Sequence, residues 1–175
     1  VDVTTVAKVK EDLRGWQLTR CLFVGDAGMV SQANLQALAK GGGKYLLAMP
    51  MRRGDEVTEE VLSRPGRYRT VAENLEVKEV IVGEGERRRR YAVCFNPLEA
   101  KRQKSHREDL LNELEAELSS LSDLAKVSHT KRVCALRTSA RYGRLLKETK
   151  QGLAIDRAAV KELERFDGKF VVHSN

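Results

Sequence analysis

"RCLFVGDAGMVSQANLQAL", residues 20–38, is the stretch on which the fold class turns. Cys21, Leu22, Phe23 and Val24 form a short apolar run, the pattern of a strand buried on both faces. The run stops at Gly25-Asp26, a second glycine follows at 28, and Ser31 stands where it can cap a helix carrying Leu35 and Leu38. An aspartate at the carboxyl end of a buried strand occupies the place where open α/β sheets put ligands and catalytic groups. Asp26 therefore has two readings, a ligand-facing carboxylate or the cap of its own turn. Gly25 and Gly28 allow either the close approach of a partner or unusual backbone angles.

Upstream, Val3, Val6, Val9 and Leu13, with Lys8, Lys10, Glu11 and Asp12 opposite, predict an amphipathic helix over 3–14 that Gly15 ends. Downstream, "KGGGK" (40–44) terminates the second helix and "YLLAMP" (45–50) reads as a second buried strand. Helix, strand, helix, strand is the alternation of an α/β sheet with covering helices. Beyond Pro50 the chain becomes polar and turn-rich. A hairpin is then predicted, with Val77, Val80, Ile81 and Val82 on one strand, Tyr91, Val93 and Phe95 on the other, and Gly-Glu-Gly between. Pro97 opens a helical stretch to about residue 126. Its Leu110, Leu114, Leu118 and Leu121, flanked by Leu111 and Leu124, make either a core stripe or a dimer seam. A short helix capped by Asp156 and a final strand-like run, "KFVVHS", complete the pattern.

Hydrophobic residues at 41% and charged residues at 33% describe a charge-rich chain with a core; such a composition excludes disordered and membrane-embedded classes. No apolar stretch reaches a membrane span, and the amino terminus has no signal-peptide build. It has no initiator methionine either, which suggests a piece of a longer protein or a processed form. Cys21, Cys94 and Cys134 form no Cys-x-x-Cys pair, so they are expected to be buried, reduced thiols of a cytoplasmic protein. A net charge of +7 favours a polyanionic partner, DNA above all.

Two basic groups are candidates for phosphate contact. Arg87, Arg88, Arg89 and Arg90 flank the hairpin turn, but on a strand they would alternate faces, so a solvated edge is the competing reading. Arg137, Arg141, Arg144 and Lys147 recur every three or four residues and would share one helical face if that segment is a helix. Lys101, Arg102, Lys104 and Arg107 are matched by Glu108, Asp109 and Glu113 and read as a wet helix face. His106, His129 and His173 are scattered and point to structural or surface roles. "GGGK" has neither the spacing nor the hydroxyl residue of a nucleotide-binding loop. A haloacid dehalogenase-like phosphatase would need an acid where Val30 stands, and its Asp-x-Asp motif is missing, since Thr4 follows Asp2 and Val3.

Taken together, "DVTTVAKVKEDLRGWQLTRCLFVGDAGMVSQANLQAL", "GGGKYLLAMPMRRGDEV", "LSRPGRYRTVAENLEVKEV", "RRYAVCFNPLEAKRQKSHREDLLNELEAEL" and "FDGKFVVHSN" resemble, in that order, the DDE transposases of bacterial insertion sequences. The resemblance implies an α/β fold in which residues 1–50 belong to an RNase H-like core. Residues 51–166 would be an inserted hairpin-plus-helices subdomain, and 167–175 a return strand. It implies that Asp26 is the second of three catalytic acids, binding Mg²⁺ or Mn²⁺ in the complete enzyme. The activity implied is phosphodiester cleavage and strand transfer on insertion-sequence ends and target DNA, with a possible homodimer and no membrane. Asp2 lies too near Asp26 to be the first acid. Glu162 and Glu164 precede the last strand and do not match the final glutamate. A central fragment, inactive alone, is thus implied. The competing class is a non-enzymatic nucleic-acid-binding or assembly module.

Overall fold

The computed structural model describes residues 5–13, 22–39, 44–52, 56–85 and 88–175. Residues 22–25 form the first strand, β1 (Leu22–Gly25), and the leucine spacing after Ser31 forms α2 (Gln32–Ala39). β2 (Lys44–Met49) runs parallel to β1, pairing Leu22 with Lys44 and Gly25 with Leu47. Before them lies α1 (Thr5–Leu13). Val6 from α1 and Leu38 from α2 pack with Tyr45 and Leu47, and Phe23, Met29, Val30 and Leu35 close the cluster. Gly15, Cys21 and residues 40–43 of the glycine-rich stretch lie outside the described residues.

β1 and β2 are not buried on both faces. Strand alternation puts Leu22, Val24 and Leu46 on the face opposite this cluster, where Leu22 is 61% and Val24 66% exposed. Among the described residues β1 is a sheet edge and α1 and α2 cover one face only. The uniformly apolar run read as double burial because the sequence records no neighbour for the second face.

The expected hairpin is present. β4 (Leu75–Val82) and β5 (Arg89–Phe95) pair antiparallel with Val82 opposite Arg89 and Glu76 opposite Phe95. Gly83 (φ 77°) and Gly85 (φ 56°) supply the left-handed backbone that the turn requires. A short strand that the sequence did not announce, β3 (Arg69–Ala72), precedes β4 and pairs with it across a bulge between Thr70 and Ala72. The final strand, β8 (Lys169–Ser174), lies antiparallel between β2 and β5. The sheet order is thus β1-β2-β8-β5-β4-β3. Under the meander, a π-helical turn at Glu56–Val61 sets Val57 and Val61 against Val80, Val82, Tyr91, Val93 and Val171.

The fold is α/β in class with a mainly antiparallel sheet. The chain divides into two compact units, one of residues Val1–Pro97 with Lys169–Asn175, the other Leu98–Gly168. The hairpin expected inside an insertion beginning near residue 51 instead shares one sheet with β1 and β2, because β8 returns to bridge them.

The second unit contains α3 (Pro97–Ser120), α4 (Lys126–Thr138), the hairpin β6 (Leu146–Thr149) and β7 (Gly152–Ile155), and α5 (Arg157–Glu164). The leucine stripe is its core: Leu110, Leu114 and Leu121 are buried with Leu136, Leu145 and Val160, and Leu111 and Leu118 pack alongside. Asp156 caps α5 by accepting from the backbone N–H groups of Ala158 and Ala159 at 3.1 and 3.4 Å. Arg107 on α3 meets the carboxylate of Asp167 with two hydrogen bonds of 2.7 Å, closing the unit near its chain ends. Arg107 therefore leaves the wet face on which its spacing had placed it. Cys94 is buried and free, whereas Cys134 is free and exposed on α4, because only one side of that helix packs.

Candidate functional site

β1 ends where its glycine allows the closest packing. A Cβ built on Gly25 would stand 2.7 Å from Cδ2 of the fully buried Leu47 and 3.1 Å from both Met29 Sδ and Phe23 Cε1. Gly25 thus serves side-chain packing, and neither it nor Gly28 has a positive φ. The space that the sequence suggested for a partner beside Gly25 is filled from within.

Asp26 follows at once, exposed, at the carboxyl end of β1. Its backbone is extended (φ −86°, ψ 176°), and its Oδ1 accepts the Gly28 backbone N–H at 2.9 Å. The next turn is fixed from behind. Asn34, buried on α2, donates from its side chain to the Met29 carbonyl at 2.8 Å, and Ser31 Oγ caps the helix by accepting from Asn34 N–H at 3.1 Å. Both readings of Asp26 are therefore compatible in one geometry. One oxygen caps the turn, while the other has no hydrogen-bond partner among the described residues. An unengaged carboxylate oxygen suits a hard divalent cation such as Mg²⁺ or Mn²⁺ as one ligand of six. Among the described residues no group of three His, Cys, Asp or Glu side chains stands ready to hold a metal.

The basic candidates are arranged differently from the spacing argument. Residues 137–147 are not one helix, since α4 ends at Thr138 and β6 begins at Leu146. Ser139 breaks the helix: its Oγ accepts from the backbone N–H groups of Arg141 (3.2 Å) and Tyr142 (3.3 Å) and turns the chain. Arg137, Arg141, Arg144 and Lys147 consequently share no helical stripe. Arg137 pairs with Glu148, Arg141 with Glu113 at 2.5 Å, and Lys147 with Asp156 at 3.8 Å. Arg144 is exposed and makes no ion pair among the described residues. In the other run, Arg87 lies outside the described residues. Arg88 sits in the turn, Arg89 pairs with Glu56, and Arg90 lies 3.9 Å from Glu79 on the opposite sheet face. The alternation expected of a strand holds, and of the three described arginines Arg89 and Arg90 are engaged by carboxylates.

Sequence reasoning missed a polar cluster inside the first unit. Tyr91 on β5 donates its hydroxyl to Glu56 Oε1 at 2.7 Å, and Arg89 holds the other Glu56 oxygen. The His173 ring stacks on Tyr91 at 4.9 Å and meets Tyr45 edge-on at 5.4 Å. Burial raises the Tyr91 phenol, and the Glu56 carboxylate adds to the rise. Burial lowers the His173 imidazole, with Arg89 adding to the fall and Glu56 opposing it. A lysine is buried as well: Lys78 Nζ donates to the Arg64 carbonyl at 2.6 Å and lies 5.5 Å from the Tyr68 ring centre. Desolvation lowers its pKa, helped by Lys169. The available signal was positional, for in "LEVKEVIV" Lys78 shares the strand face of Val80 and Val82. His106 and His129 are exposed, as a surface role requires.

No family model, curated protein or solved structure matches this chain.

Proposed function

We propose that the chain is part of the catalytic region of a DDE-type DNA transposase, in which Asp26 is one of the carboxylates that hold divalent metal. The observation that carries this reading is the placement of Asp26. It is exposed at the carboxyl end of β1, within a parallel β1-α2-β2 unit, with one carboxylate oxygen uncommitted. Mg²⁺ or Mn²⁺ bound there would lower the pKa of a water or 3′-hydroxyl nucleophile and stabilise the leaving oxygen of a phosphodiester. Asp26 contributes a fixed negative oxygen to that arrangement. The turn bond to Gly28 and the Asn34 strut behind it hold the side chain in place, so little reorganisation is needed on binding. In the complete enzyme the substrates are insertion-sequence ends and target DNA, the site of action is the cytoplasm, and a homodimer would bring two ends together.

The alternative, a non-enzymatic nucleic-acid-binding or assembly module, is favoured by the other half of the same observation, since Asp26 already has work as a turn cap. One experiment separates the two. In the complete protein, Asp26→Asn abolishes metal-dependent strand transfer and leaves DNA retention intact if Asp26 holds metal. Unchanged strand transfer would leave the module reading.

A further inference from the structure

Among the described residues β8 is the only strand that joins the β1-β2 pair to the β3-β4-β5 meander, so the sheet they form is continuous only while β8 is seated. His173 sits at that seam, paired with Leu47 on one side and Tyr91 on the other. It is 4% exposed, and its Nδ1 is buried with no hydrogen-bond partner among the described residues. In the neutral ring with its proton on Nε2, Nδ1 is an unpaired acceptor and the ring carries no charge. Protonation turns Nδ1 into a donor with nothing among the described residues to receive it and adds a buried charge. We propose that His173 is an acid-sensitive clasp: protonation of its orphaned Nδ1 unseats β8 and uncouples the β1-β2 pair from the meander.

The groups around the ring decide whether the clasp can be rescued. From β5, Tyr91 stacks on it and Arg89 adds a positive charge; from β2, Tyr45 contributes an uncharged edge; from the π-helical turn, Glu56 contributes the one negative charge. Glu56 is already committed, one oxygen to Tyr91 and the other to Arg89. Also at this end of β8, Asn175 Oδ1 accepts from the Tyr45 backbone N–H at 3.1 Å. Burial therefore keeps the seated ring less protonated than the open one. Opening takes up a proton, and its equilibrium rises as pH falls below the ordinary imidazole value of 6.5. One unit below that value, linkage limits the effect to about tenfold.

The test is native-state amide exchange on the chain at about pH 7.5 and about pH 5.5, corrected for intrinsic rates. His173 is the only histidine of the first unit, and histidine is the side chain whose ordinary pKa lies in that window. Opening of β8 and of the β2 and β5 amides bonded to it should rise several-fold at the lower pH, with the β3-β4 pairing unchanged. His173→Phe keeps an aromatic ring between the tyrosines and should abolish the rise. His173→Gln, which also cannot titrate, serves the same purpose if the phenylalanine variant does not fold. A flat wild-type profile across the two pH values overturns the proposal. So does a rise shared equally by β3 and β4, or one that persists in the non-titrating variants.

Discussion

Asparagine at position 26 separates the turn cap that the structure gives that side chain from the metal-holding role proposed for it. The turn needs an oxygen 2.9 Å from the Gly28 N–H, and the asparagine amide can supply one. A metal needs an anionic oxygen, which asparagine cannot supply. Asp26→Asn should therefore change stability by less than about 0.5 kcal/mol, because asparagine and aspartate cap about equally well. Asp26→Ala removes the acceptor, and since the turn is short and exposed the cost should be about 0.5–1 kcal/mol. For a unit of this size that is a fall of about 2–8 °C in melting temperature, read by circular dichroism.

Activity should divide the same variants differently. If Asp26 holds metal in a transposase, as proposed, strand transfer by the complete protein on labelled ends should fall at least about a hundredfold in both, since metal-borne charge stabilisation is worth several kcal/mol. DNA retention should stay unchanged in both. Strand transfer at wild-type rate in Asp26→Asn would refute the metal-holding role. A melting loss in Asp26→Asn equal to that of Asp26→Ala would refute the capping argument.

Gly25→Ala should destabilise the first unit by about 1–3 kcal/mol in urea titration, because its Cβ would collide with Leu47 in a filled core. In the second unit, Asp167→Ala leaves the buried Arg107 with no direct carboxylate hydrogen bond, Glu164 standing 3.8 Å away, and should cost about 3 kcal/mol, measured the same way. Since burial lowers the Lys78 pKa, the unfolded chain holds that proton more tightly and stability should rise as pH climbs toward 10.5. Lys78→Met should remove that slope in urea titrations across alkaline pH. If the second unit contacts DNA, Arg144→Ala should flatten the log–log salt dependence of binding by about 0.9, one phosphate's worth, while Arg137→Ala should change it less.

Local features of the chain were legible where one residue type has one physical use. The hairpin over 75–95 was readable because alternation and two turn glycines agree, and the α5 cap because Asp156 opens a helical run. The stripe of Leu110, Leu114 and Leu121 was readable as an apolar face, either core or dimer seam, and it packs as core within the second unit. Non-local facts were not legible. Nothing in "KFVVHS" says that this strand inserts between β2 and β5, and that insertion puts the hairpin and β1 in one sheet. The same gap hid the Tyr91-His173 stack, whose members are 82 residues apart in sequence and adjacent only through β8. Asp26 lay between these extremes. Its position at a strand end was readable, but its division between a turn bond and an open oxygen depended on the single 3₁₀ turn, Ala27–Met29, that follows it.

The distribution of charge explains why the basic stripe dissolved. Residues 108–123 carry six carboxylates and no lysine or arginine, while residues 124–151 carry eight lysines and arginines against Glu148 alone. These opposed blocks fold back on each other within the second unit. Arg132 meets Glu117 and Arg141 meets Glu113, which joins α3 to two parts of the basic segment, and Arg157 of α5 meets Glu115 at 2.6 Å. Such exposed pairs contribute at most about 1 kcal/mol each. They are too weak to build the unit, whose stability rests on the buried leucines, but they are enough to orient long cationic side chains toward α3. A phosphate backbone could displace a carboxylate from any of them, because exchanging one exposed ion pair for another is nearly neutral in energy. Affinity for a polyanion would then come chiefly from counterion release and from the cations that have no carboxylate to leave, Arg144 first among the four candidates. The net charge of +7 thus overstates the surface free to meet DNA, since much of the basic segment is answered from within its own unit.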